Sequence, residues 1–465
     1  MTFAQLNLSP ALVQVAQELG FTQPTAIQAQ SIPLLLQGKD VIAQSQTGSG
    51  KTAAFSLPIL QDLQFAGRRV QALILCPTRE LCAQVAREIR RLGRRHPGLQ
   101  VLTITGGAPI FTQLNALSKG VHLVVGTPGR VMDHLRRGTL DLSSVATVVL
   151  DEADRMLEMG FQEDMEQILS EVPASRQTVL FSATFPQGIE TLSRKYQRSP
   201  ERITIERSNQ AVAAIRQVVA EVEAEDRLKA LLKIVEQEKP ESMIIFCNFK
   251  ASVNALMNEL SRSGLSVGAL HGDLEQNDRD RIMAKFRNKS LKALVATDVA
   301  ARGIDVEGLD AVVNFELPKQ PEIYVHRVGR TGRAGREGLA VSFISSRERG
   351  KLRSIEQYAS IKFEKMDLGS LQEIDPEAIQ EKIQGEAEMR TLYISGGRKE
   401  KVRPGDILGA LTGEAGRFSA SDVGKIEIHD HFSYVAVAAH LAEVALERLR
   451  NGRIKGRKFR IEAVR

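Results

Sequence analysis

The chain has 465 residues, too many for a single core, and about three domains are expected. Its hydrophobic share of 43% and charged share of 25% are those of a soluble globular protein, no apolar run approaches the ~20 residues of a membrane span, and a net charge of +6 permits a polyanionic partner without requiring one. The start Met1-Thr2-Phe3-Ala4-Gln5 lacks the basic and apolar stretches of a signal peptide, and Cys76, Cys82 and Cys247 are odd in number and without metal-type spacing, so a reducing cytoplasm is expected and disulfides and zinc are not.

Residues 1–206 alternate short apolar runs with amphipathic stretches, which predicts a parallel sheet covered by helices. The run Val41-Ile42-Ala43 is followed by Ser45-Gln46-Thr47-Gly48-Ser49-Gly50-Lys51-Thr52, a phosphate-binding loop. Backbone N–H groups around Gly48, Ser49 and Gly50 can cradle phosphate oxygens, and Lys51 neutralises their charge. The strict pattern opens on Gly where this chain has Ser45; a small residue suffices there. Further strands are predicted at Leu73–Leu75, Val101–Ile104, Leu123–Val125, Val145–Leu150 and Thr178–Phe181. The fourth of these runs straight into Asp151 and Glu152, and two carboxylates ending a buried strand are costly unless they bind something. Asp151 and the Thr52 hydroxyl are expected to hold Mg²⁺, and Glu152 to orient or deprotonate an attacking water. Together these residues make a nucleoside-triphosphate site.

The polar run Arg207-Ser208-Asn209-Gln210 reads as a linker. A second alternating block, 211–364, has strands predicted near Gln217-Val218-Val219 and at Met243–Phe246, Ala293–Ala296, Ala311–Asn314 and Ala340–Ile344. It has no phosphate loop and supplies arginines instead; Arg330 and Arg333 would share a face if their segment is helical. A third region, 388–465, reads as strand (Thr391–Ser395), helix (Pro404–Leu411), strand (Val423–Ile428), strand (Tyr434–Ala439), helix (Leu441–Leu449), strand (Lys458–Val464), the β-α-β-β-α-β order of a ferredoxin-like, RNA-recognition-type α+β domain. Its aromatic platform is thin, with Tyr393 and Tyr434 as the stacking candidates. The run Arg448, Arg450, Arg453, Lys455, Arg457, Lys458, Arg460 has no acidic residue, which favours phosphate contact, above all by Arg453, Lys455, Arg457 and Lys458. His96, His122 and His134 form no constellation, so core or surface roles are expected of them.

The tetrad Asp151-Glu152-Ala153-Asp154 belongs to a longer set: Gly20 to Gln28 with Phe3 upstream, Pro77-Thr78-Arg79-Glu80-Leu81, Gly106-Gly107, Thr127-Pro128-Gly129-Arg130, Ser182-Ala183-Thr184, Ala296-Thr297-Asp298, Ala301 to Asp305 and His326 to Arg333. In order and spacing it resembles the DEAD-box RNA helicases over nearly the whole chain. The resemblance implies an α/β fold of two tandem RecA-like parallel-sheet domains, with ATP and Mg²⁺ as cofactors and RNA as substrate. Gln28 is then the adenine reader, its amide donating and accepting at once as adenine's N6 and N7 require, and Phe21 a stacking or core aromatic beside it. Arg330 and Arg333 correspond to arginine fingers, Gly303 and Asp305 to ribose contacts, and Asp154, Ser182, Thr184 and His326 to the coupling network. Arg79, Gly107, Thr127, Arg130, Gln276, Arg279 and Thr297 correspond to contacts with the RNA backbone, which read no base sequence.

The small third domain resembles, more narrowly, that of the bacterial DbpA type, which implies binding of large-subunit ribosomal RNA in ribosome assembly by a cytoplasmic monomer with no membrane partner. Two other readings remain at this point. One is a general RNA chaperone in RNA decay or cold adaptation, separable by comparing ribosomal and unrelated RNA as ATPase activators. The other is an ATP-gated RNA clamp with negligible turnover, against which Glu152 and the two arginines stand.

Overall fold

The structure, a computed structural model, describes residues 2–44, 49–185, 187–205, 215–301, 308–332, 337–369, 387–413 and 418–464. Backbone contacts divide the chain into two units, the first carrying one sheet and the second carrying two. The first sheet contains β1 (Val41–Gln44), β2 (Ala72–Leu75), β3 (Val101–Ile104), β4 (Leu123–Gly126), β5 (Thr147–Asp151), β6 (Gln177–Ser182) and β7 (Glu201–Thr204). It is parallel throughout, in the order β3-β4-β2-β5-β6-β1-β7. β2, β4 and most of β5 are buried on both faces, which is why they read as unbroken apolar runs.

The second unit repeats the plan. β8 (Ile215–Glu221), β9 (Met243–Phe246), β10 (Val267–Leu270), β11 (Ala293–Ala296), β12 (Ala311–Asn314), β13 (Gly338–Ile344) and β14 (Glu364–Lys365) run in the order β10-β11-β9-β12-β13-β8-β14. Counted within each sheet, both orders are third, fourth, second, fifth, sixth, first, seventh. Two RecA-like parallel-sheet folds therefore stand in tandem. The apolar pattern of the sequence predicts no strand at β7, β10 or β14.

The third sheet, antiparallel, has β15 (Met389–Ile394), β16 (Val423–Ile428), β17 (Ser433–Ala438) and β18 (Ile461–Ala463) in the order β16-β17-β15-β18. Helices Pro404–Thr412 and Ala442–Asn451 lie between β15 and β16 and between β17 and β18, giving the ferredoxin-like order. Leu392, Ile394, Val435 and Val437 alternate inward to a core shared with Ile407, Leu411, Leu446 and Leu449. The last strand is shorter than predicted, because residues 458–460 are outside it.

Parallel sheets place their loops and helix N-termini at the carboxyl edge, where ligands bind. In the first unit that edge receives the end of the phosphate loop after β1, Arg79 after β2, Gly106-Gly107 after β3, Thr127 after β4 and Glu152 after β5.

Candidate functional site

Of the phosphate loop, Ser49 and Gly50 lie within the described residues and Gly48 lies outside them. Gly50 caps the helix Lys51–Asp62 with φ +92°, and a Cβ there would sit 2.5 Å from Gln28 Nε2. Thr52 is the second residue of that helix. Gln28 is almost wholly buried: its Nε2 donates to the Gly50 carbonyl at 3.1 Å, and its Oε1 accepts from the Thr25 N–H at 3.0 Å. That second bond is the capping box of the helix Ala26–Leu36. One amide N–H and one carbonyl lone pair of Gln28 are thus committed within the protein, and the other of each is what a base can use. Phe21 is half-buried and stacks on Phe3 with ring centroids 6.1 Å apart. Gly50→Ala is expected to cost about 1–2 kcal/mol through its left-handed backbone, and to weaken ATP binding by pushing on Gln28. Nucleotide titration of the variant followed by its melting transition checks this; wild-type affinity would separate Gln28 from the nucleotide.

Asp151 is the last residue of β5 rather than the residue after it, paired in register with Phe181. It is buried, its Oδ1 lies 3.9 Å from Lys51 Nζ, and that oxygen has no hydrogen-bond partner among the described residues. Burial pushes the Asp151 carboxyl up to about 6, opposed by Lys51 and reinforced by Glu152. An orphaned, buried carboxylate oxygen beside a lysine fits a bound cation. Glu152 turns the chain from strand to helix in the left-handed region (φ 55°, ψ 51°), a conformation costly for a side-chain-bearing residue and found mostly where function demands it. Its carboxylate lies 3.4 Å from Arg155 Nε. Asp154 Oδ2 accepts from both the Thr184 N–H (3.0 Å) and its hydroxyl (2.9 Å), while the Ser182 hydroxyl donates to the Thr184 carbonyl. The structure therefore joins Asp154, Ser182 and Thr184 in one network running from β5 to β6.

Four of the RNA-contact candidates lie along the same edge. Arg79 opens a helix capped by Thr78, and its guanidinium lies over Gly106 and Gly107; a Cβ on Gly107 (φ +73°) would fall 1.8 Å from Arg79 Nη1. Arg130 Nη1 donates to the Ala108 carbonyl at 3.5 Å, and Thr127 N–H to the Ile104 carbonyl at 3.1 Å. Behind them lies a link that sequence reasoning missed. Buried Gln113 donates to the Thr105 carbonyl, and its Oε1 is 2.9 Å from His134 Nε2, with Thr139 2.8 Å from Nδ1. Burial holds the His134 imidazole below its usual range.

In the second unit, Arg330 does not lie on a helix. The helix Pro321–Val328 carries His326 and ends before Arg330, which lies buried in the turn beyond it. Arg333, Gly303 and Asp305 lie outside the described residues. Gln276 opens the helix Gln276–Arg287, Arg279 on it donates to the Ala300 carbonyl at 3.4 Å, and Thr297 follows β11. The dominant feature is Arg327, which the sequence reading passed over. Its side chain, 1% exposed, forks onto Asp298 at 2.6 and 2.8 Å and also reaches Asn314 Oδ1, Asn248 Oδ1 and the Glu316 carbonyl. It binds the segments after β9, β11 and β12 into one network.

In the third sheet the basic run divides. Arg448 donates to the Ala410 and Gly413 carbonyls and Arg450 to Ile461, so both serve the fold. Arg453, Lys455, Arg457 and Lys458 are exposed on a hairpin whose two central residues, Lys455 (φ 51°) and Gly456 (φ 76°), are both left-handed, as a type I′ turn requires. Buried Ile454 anchors it. Tyr434 is only 3% exposed. Tyr393 stacks instead on Phe432, and Phe432 on His429 at 4.4 Å, two rings in the β16–β17 turn that were not singled out from the sequence.

A strand-end acid pair beside Lys51 on one RecA-like sheet, a second such sheet with an arginine network, and an RNA-recognition-type tail are the parts of an ATP-dependent RNA helicase. Residues 25–192 match the DEAD/DEAH box helicase family, 226–335 the helicase conserved C-terminal domain, and 391–463 the DbpA RNA binding domain. The chain is 45% identical to the ATP-dependent RNA helicase DbpA of Escherichia coli K12, covering 100% of this chain and 99% of that one, and 39% identical to the Bacillus subtilis 168 protein of the same name over 99% and 98%. It is 32% identical to Saccharomyces cerevisiae Dbp5 bound to RNA and ADP BeF3, with a TM-score of 0.72 over 82% of this chain and 100% of that one. The chain belongs to the DEAD-box ATP-dependent RNA helicases. It is an ATP-hydrolysing enzyme that binds RNA. Among the described residues no helix is long and apolar enough to cross a membrane.

Proposed function

We propose that this helicase is a non-processive, RNA-stimulated ATPase that opens short duplexes in large-subunit ribosomal RNA during ribosome assembly, as a cytoplasmic monomer. The observation that carries the ribosomal reading is the tail: a DbpA-type RNA-binding domain presenting four exposed cations on a hairpin with a two-residue turn. Cations on a fixed turn suit the phosphates of a folded RNA, where shape rather than base sequence is read.

In this reading Glu152 orients and deprotonates the attacking water, and Lys51 and the amides of Ser49 and Gly50 hold the phosphates. Asp151 and Thr52 hold Mg²⁺, which supplies charge neutralisation at the phosphates. Gln28 reads adenine through its uncommitted N–H and lone pair. Arg330 and Arg333 stabilise charge on the transferring phosphoryl group. Asp154, Thr184 and Ser182, with His326, relay the state of the nucleotide to the RNA side, where Arg79, Gly107, Thr127 and Arg130 in the first unit and Gln276, Arg279 and Thr297 in the second hold the backbone.

Neutralising Arg453, Lys455, Arg457 and Lys458 together is expected to spare ATP hydrolysis at saturating RNA and remove the preference for ribosomal RNA. It should also reduce the slope of log affinity against log salt by roughly 3, close to one unit per lost phosphate contact. ATPase activation by ribosomal and unrelated RNA across a salt series checks both. An unchanged preference would place specificity outside the hairpin, with Tyr393 and Phe432 the next candidates.

A further inference from the structure

The contacts assigned to RNA along the carboxyl edge of the first sheet are to phosphate and sugar, and they leave the bases unclaimed. One side chain on that edge has the chemistry to claim one. Phe111 is the second residue of the helix Ile110–Ser118, which starts three residues after Gly107. It is 79% exposed, the most exposed phenylalanine among the described residues. A single exposed apolar side chain is ordinary on a protein surface, so exposure alone assigns nothing. What distinguishes Phe111 is the frame that holds it. Two positions along the same helix, Gln113 is buried, donates to the Thr105 carbonyl at 2.9 Å and lies 2.9 Å from His134 Nε2. Two positions on a helix are about 200° apart, so burying Gln113 turns Phe111 outward. His134 belongs to the helix Pro128–Arg136, which Thr127 precedes and which carries Arg130. Arg130 in turn reaches back to the Ala108 carbonyl, three residues before Phe111. The backbone beneath the ring is thus tied on both sides to the elements that carry Gly107, Thr127 and Arg130. Local charge also suits a polyanion. Residues 101–130, which form β3, this helix and β4, contain no Asp or Glu, and the next carboxylate, Asp133, is paired with Arg130 and Arg137.

We propose that Phe111 is a base-stacking residue, whose ring receives the face of one unpaired base of the RNA strand that Gly107, Thr127 and Arg130 hold by its backbone. The ligand is single-stranded RNA of any sequence, because every base has a π-face and stacking reads no hydrogen-bond pattern. A base must leave its partner to stack on the ring. The contact therefore favours the opened strand over the duplex, which phosphate contacts, available on single and paired strands alike, do not. This rests on the assignment of Gly107, Thr127 and Arg130 to RNA.

The test measures equilibrium binding of the full chain, with ADP and beryllium fluoride, to a short unstructured oligouridylate and to copies from which one base at a time is removed with the sugar–phosphate intact. An unstructured strand keeps a tail that reads folded RNA out of the measurement. Phe111→Ala is expected to weaken binding of the intact strand roughly tenfold, within the range that alanine substitution gives for one stacked base, while Phe111→Tyr stays within about twofold of wild type. In the wild-type protein one abasic position is expected to cost the same roughly tenfold. In Phe111→Ala that position should cost nothing further, the non-additivity of two groups in contact. Arg130→Ala separates the stacking from the reading on which it rests. It is expected to weaken intact and abasic strands alike and to lower the slope of log affinity against log salt by about 1, whereas Phe111→Ala leaves that slope unchanged. Wild-type affinity in Phe111→Ala overturns the proposal and leaves the ring to a protein partner. Equal losses from Phe111→Ala on the intact strand and on every abasic strand overturn it as well. Unchanged binding in Arg130→Ala overturns the backbone contact at Arg130, and the stacking is then decided by the abasic series alone.

Discussion

Glu152→Gln is expected to lower RNA-stimulated ATP turnover by about 10²–10⁴-fold, the range a positioned general base supplies, while ATP and RNA still bind. The amide keeps the shape of the side chain but cannot take a proton from water. Asp151, whose orphaned oxygen is the candidate cation ligand, is untouched. The left-handed backbone at Glu152 also survives, because Gln has the same steric demand there. Binding is read by equilibrium titration and turnover by phosphate release on the same preparation. Turnover comparable to wild type would remove Glu152 from the chemistry and leave it as the helix-starting residue before Ala153.

Arg327→Met is expected to destabilise the second parallel sheet by about 3 kcal/mol, the cost of removing one partner from a buried ion pair. Met fills similar space, so the loss is not that of a cavity. It strands the Asp298 carboxylate together with Asn248 and Asn314 oxygens and the Glu316 carbonyl, all of which now accept from one guanidinium. Arg327→Lys should recover only part, because an ammonium is a point charge and cannot fork to acceptors on three segments. Hydrogen exchange at β9, β11 and β12 in the full chain measures this locally, as a protein of several folding units requires. Wild-type protection in Arg327→Met would mean that the network is dispensable.

Much of the architecture was legible because parallel strands buried on both faces leave unbroken apolar runs. β9, β11 and β12 fall where such runs predict them. The strands that escaped carry weaker patterns. β7 is an edge strand whose one buried residue is Ile203, β14 is a two-residue edge strand, Glu364–Lys365, with both residues exposed, and β10 contains Gly268. The tail order was legible from its alternation, though its last strand was drawn too long through Lys458, Phe459 and Arg460.

The candidate site was legible as residue types at Lys51, Asp151 and Glu152, and the structure brings Lys51 within 3.9 Å of Asp151. It was not legible where partners are distant in sequence. Nothing local in the chain says that Gln28 closes a capping box and binds Gly50, or that Arg327 is fully buried rather than a solvated cation beside Arg330. Charge runs mislead in the same way. Arg448 and Arg450 belong to the same basic stretch as Arg453, yet their guanidinium groups serve backbone carbonyls. Whether a sheet face is free cannot be read from its strands alone, and Tyr434, chosen as a stacking residue, is buried.

Steady-state phosphate release by the full-length protein, with ATP and no RNA, unrelated RNA or large-subunit ribosomal RNA, tests the central claim most directly. Turnover is expected to be low without RNA and to rise with either RNA, reaching half-maximum at a far lower concentration of ribosomal RNA. Equal half-saturating concentrations for the two RNAs would contradict the ribosomal assignment, and turnover indifferent to RNA would contradict the RNA-gated ATPase itself.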